Sequence, residues 1–87
     1  MSLINHIGPI SNQDKQGHNL YTASQNCLCS AVIAAVNDGT YAATVNIGSI
    51  VILANYNIFN IAGCFYLSSG QTITYGNGKY DLYVYSL

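Results

Sequence analysis

From Asn19 onward the chain alternates apolar and polar side chains in short runs, and each run is cut at Gly, Asn or Ser. Tyr41, Ala43, Val45 and Ile47 fall on one side of an extended segment and Thr44 and Asn46 on the other, the period of two that a half-buried strand requires. The last run does the same. Tyr80, Leu82 and Val84 share a face suited to a core, and Asp81, Tyr83 and Tyr85 line the opposite one. Residues 27–36 are apolar almost throughout, with Ser30 the main exception, which is the pattern of a central strand covered by a second sheet on one side and by a neighbour on the other. The runs are rich in Val, Ile, Thr and Tyr and predict strands over 19–24, 27–37, 41–47, 49–55, 64–68, 72–75 and 80–86. Asn37-Asp38-Gly39, Ser68-Ser69-Gly70 and Gly76-Asn77-Gly78 carry the turn chemistry between them.

Seven short strands predict a single all-β domain over residues 18–87, a two-layer antiparallel β-sandwich of immunoglobulin-like or jelly-roll topology. Residues 1–17 read as an extended N-terminal arm rather than a strand, because Gly8-Pro9 interrupts regular structure and 11–17 is a polar loop. The arm's Leu3, Ile4, Ile7 and Ile10 either fold back over the core or dock on a neighbour.

Charge changes the picture of the surface. Asp14, Lys15, Asp38, Lys79 and Asp81 are the only ionised side chains, 6% of the sequence against roughly one-quarter in an average domain. The stretch from Gly39 to Gly78 has none. The exterior is therefore covered by Asn, Ser, Thr, Gly and Tyr, as expected of a subunit buried largely against other subunits. Two basic residues cannot form a phosphate-neutralising face, so nucleic acid is not an expected partner. The longest apolar runs, 31–36 and 50–54, fall far short of the ~20 residues of a spanning helix, and the strands are too few for a transmembrane barrel. The first residues show neither a basic region nor a sustained apolar one, so no signal peptide is expected.

Candidate chemistry is sparse. Asp14, Asp38 and Asp81 read as solvated or turn residues, and no Glu accompanies them as an acid–base pair. His6 and His18 lie in or beside the arm, away from any nucleophile, and no Gly-x-Ser-x-Gly elbow occurs. Cys27, Cys29 and Cys64 could together offer thiolates to a metal. However, Cys27 and Cys29 sit two apart in an apolar strand rather than on a turn, so we read all three as buried, reduced, small hydrophobes. Gly76-Asn77-Gly78-Lys79 is better explained by a hairpin turn than by a phosphate loop. No catalytic residue, metal or cofactor is expected. Tyrosine is what suggests binding: eight of them supply large contact area with a polar tip, suited to subunit contacts first and to glycan second.

Leu20-Tyr21-Thr22-Ala23, the run from Ser30 to Asn37, Ala42-Ala43-Thr44-Val45 and the run from Leu67 to Thr74 resemble small β-sandwich virion proteins of tailed bacteriophages. That group comprises capsid decoration or cement proteins, head fibres and tail-fibre tips. The resemblance covers roughly residues 20–87 and departs from the pattern at Gln71, where Asp is common. It implies a non-enzymatic capsid decoration subunit, a homo-oligomer with a trimer favoured, assembled in the bacterial cytoplasm and bound to the major capsid protein or other virion proteins. The alternative it implies is a receptor-binding tip of a tail or head fibre that holds host glycan. Combined with the surface composition, the expected contact residues are Leu3, Ile4, Ile7, Ile10, Tyr41, Tyr56, Tyr75, Tyr83 and Tyr85.

Overall fold

The computed structural model describes residues 1–10, 17–33, 43–55 and 61–87. Among them the chain forms eight strands and no helix: β1 (Leu3–Ile10), β2 (Asn19–Thr22), β3 (Cys27–Ile33), β4 (Ala43–Ile47), β5 (Ile50–Asn55), β6 (Ile61–Leu67), β7 (Thr72–Asn77) and β8 (Tyr80–Ser86). They assemble into two antiparallel four-stranded sheets, the first ordered β1-β8-β3-β6 and the second β2-β7-β4-β5.

The core follows from the alternation. Tyr80, Leu82 and Val84 of β8, Cys27, Cys29 and Ala31 of β3 and Leu67 of β6 point inward from the first sheet. Val45 of β4 and Ile73 and Tyr75 of β7 join the same buried cluster from the second. Each fully buried aliphatic side chain of this kind contributes about 1.5–3 kcal/mol. The rings of Tyr75 and Tyr80 stack between the sheets with centroids 6.1 Å apart. Tyr75 can be buried because its hydroxyl donates to the carbonyl of Gly78 at 2.9 Å.

The segment expected to be an arm is, over Leu3–Ile10, a strand of the first sheet hydrogen-bonded along β8. Gly8-Pro9 does not end it because β1 lies at the sheet edge, where a residue without an N–H leaves no ladder bond unmade. The ladder takes up the irregularity as a register shift between Ile7 and Ile10. A Cβ at Gly8 would come 2.5 Å from Asp81 Oδ1, and its φ of 142° lies outside the range comfortable for other residues, so both the contact and the backbone select glycine.

β6 begins three residues before the expected strand, and the expected strands over 27–37 and 41–47 are described only as Cys27–Ile33 and Ala43–Ile47. Their remaining residues lie outside the described ones. Among the described residues no helix is long and apolar enough to cross a membrane.

Candidate interaction surface

Pairing across the first sheet lines up outward-facing side chains in rows. The register joins Leu3 to Tyr85, Tyr85 to Leu28 and Leu28 to Tyr66, so four strands in succession place apolar or aromatic residues side by side. The next row runs His6, Tyr83, Ser30 and Cys64, and in the row beyond it Asp81 pairs with Val32. Leu3 is 54% exposed, Tyr66 51% and Val32 37%, so this outer face carries apolar surface in water. Tyr83 and Tyr85 are half-buried by their neighbours in the rows.

The face has one polar knot. His6 Nε2 lies 3.0 Å from Asp81 Oδ1, and the His6 ring stacks on Tyr83 at 4.6 Å between centroids and an interplanar angle of 4°. Asp81, expected on the outer face of the last strand as a solvated residue, stands on that strand with a partner contributed by β1. No local signal marks this pair, because its members are 75 residues apart in sequence.

The second sheet turns a different surface outward. Thr22 and Thr72 share a hydroxyl hydrogen bond of 2.8 Å, and Thr74 Oγ1 donates to the Gly48 carbonyl at 3.0 Å. Gly76 passes so close beneath Thr44 and Asn46 that a Cβ there would overlap the Thr44 side chain and carbonyl and the Asn46 Oδ1. Asn46 is only 8% exposed although it faces away from the core, and its Oδ1 has no hydrogen-bond partner. It lines a shallow concavity of about 480 Å³ together with Gly17, Gly48, Ser49 and Thr74.

Of the expected contact residues, Leu3, Tyr83 and Tyr85 come together on the outer face of the first sheet, and Ile4 is exposed nearby on β1. Ile10 and Tyr75 do not present contact surface: they are 4% and 2% exposed and belong to the core. Ile7 is half-buried against that core. Tyr41 and Tyr56 lie outside the described residues. Sequence reasoning missed Leu28, Val32 and Tyr66, although the apolar character of both faces of β3 was the signal that could have found the first two.

The three cysteines separate into two kinds. Cys27 and Cys29 are buried free thiols inside the first sheet, and burial, followed by the neighbouring Cys27, pushes the Cys29 thiol up to about 12. Cys64 departs from the buried expectation: β6 turns it outward and leaves it exposed. Among the described residues no group of three or more His, Cys, Asp or Glu side chains gathers as metal ligands would. No family model, no curated protein and no solved structure matches the chain.

Proposed function

We propose that the two sheets form a jelly-roll sandwich and that the chain is a virion structural protein, a capsid decoration subunit that cements a bacteriophage head by bridging neighbouring capsid subunits. The observation that carries the proposal is the strand pairing. β1 pairs with β8, β2 with β7, β3 with β6 and β4 with β5, as in one long nested hairpin, and the further pairs β3 with β8 and β4 with β7 roll that hairpin into two sheets. This is the double Greek-key arrangement that recurs in viral capsid and lectin domains, and its four-plus-four order differs from the immunoglobulin arrangement. The resemblance of residues 20–87 to phage virion proteins supports a location on a particle.

In this reading the protein performs no chemistry. Apolar contacts supply the binding energy, at about 25 cal/mol per Å² removed from water, and several weak contacts made together by an oligomer, a trimer in the arrangement the resemblance implies, add up to firm attachment. A second reading, a receptor-binding tip that holds host glycan, is favoured by the concavity around Asn46, whose lining is hydroxyl, amide and glycine backbone.

Counting copies of the chain in purified virions separates the two. A decoration subunit occurs in many copies at regular shell positions, and heads lacking it rupture more readily. A few copies at the tail, with heads unchanged in its absence, would sink the first reading and leave the second.

A further inference from the structure

We infer that the outer face of the β1-β8-β3-β6 sheet is the surface through which copies of this chain associate with one another. The inference concerns the purified chain and holds or fails whatever particle carries it.

Three observations carry it. β3 is a central strand with apolar side chains on both faces: Cys27, Cys29 and Ala31 point into the core while Leu28 and Val32 point out. Two-sided apolar character belongs to strands covered on both sides, and the second sheet covers only one. The outward rows continue this character across all four strands, from Leu3 through Tyr85 and Leu28 to Tyr66.

Area is the second argument. Four strands at ~4.8 Å spacing and about seven residues at ~3.3 Å each span a flat face of roughly 440 Å², before side-chain relief is added. Two such faces brought together remove about 1,000 Å² from water, the lower bound for a specific interface.

Charge is the third. Asp81 is the described carboxylate on the face, and His6 Nε2 lies within hydrogen-bonding distance of it inside one copy. A second copy therefore meets a face whose described carboxylate is already bonded to a neighbour, whereas a phosphate-bearing or strongly charged partner finds little to answer it.

The experiment measures the mass of the full chain by sedimentation across roughly 1–200 μM, the range over which a modest interface dissociates. Cys64 serves as a reporter, because it is exposed on this face while Cys27 and Cys29 are buried, so a maleimide reads Cys64 alone. The expected result is a multiple of the 9.3 kDa monomer at high concentration, with Cys64 labelling slowed about tenfold or more relative to the dilute monomer. Val32→Glu and Tyr66→Glu should each give the monomer mass, while Thr22→Glu on the other sheet leaves the assembly intact.

A chain that stays monomeric at every concentration overturns the inference, even if it binds another virion protein. So does an oligomer in which Cys64 labels as fast as in the monomer, because that assembly uses another face. The labelling comparison needs no substitution, so it decides the matter even if a glutamate variant fails to fold.

Discussion

The outer faces of the two sheets are built on the same kind of strand and finished in opposite ways. On the second sheet several outward polar groups bond within the sheet, while Ile50 and Val51 of β5 stay exposed: Thr22 bonds Thr72, Thr74 bonds the Gly48 carbonyl, and Gly76 lets Thr44 and Asn46 close over the backbone. On the first sheet Leu3, Leu28, Val32 and Tyr66 stand in or beside aligned rows whose main polar feature is the His6–Asp81 pair. Hydroxyls already bonded within the sheet, those of Thr22, Thr72 and Thr74, gain little from a partner, whereas exposed apolar rows gain about 25 cal/mol for each Å² covered. The difference therefore separates a face whose polar groups contribute to the stability of the single chain from one that presents aligned apolar rows to water.

Substitutions that test this contrast act on stability through the second sheet. Gly76→Val has the largest expected effect, because its side chain must displace the Thr44 backbone and the Asn46 amide; a loss of about 3 kcal/mol in urea unfolding is expected. If Gly76→Val leaves the urea midpoint unchanged, the close approach of β4 and β7 does not exist as described.

Thr74→Val comes next. It keeps the shape of the side chain and removes the hydroxyl that holds the Gly48 carbonyl in the β4–β5 turn, so a loss of about 1 kcal/mol should appear in the same measurement. On the first sheet His6→Ala should cost no more than about 0.5 kcal/mol, because both members of its pair are partly exposed and solvent screens them. A thermal or urea loss for His6→Ala larger than that for Thr74→Val would reverse the assignment of the two faces.

β8 was fully legible in the sequence. Its alternation separates Tyr80, Leu82 and Val84 from Asp81, Tyr83 and Tyr85, and the structure buries the first set and turns the second outward. β1 was not legible, since Gly8-Pro9 is a local breaker and only a place at the sheet edge makes it compatible with a strand. Tyr75 looked like contact surface for a similar reason. Its composition suits an interface, and only the stacked Tyr80 ring and the Gly78 carbonyl make it a core residue. The candidate surface was half visible: β3 showed two apolar faces, but the row that joins Leu3 to Tyr66 crosses four strands drawn from both ends of the chain.

The amino-acid sequence by itself determined that this is an all-β chain, where most of its strands run and which side of β4 and β8 meets a core. Those properties depend on side chains two residues apart, and a strand reports them without help from its neighbours. Tertiary structure alone decided the nested order of the strands, the inclusion of Leu3–Ile10 as an edge, the His6–Asp81 pair and the assembly of apolar residues into one face. Each of these depends on register between segments far apart in the chain, which is set by the collective burial of both sheets rather than by any local pattern.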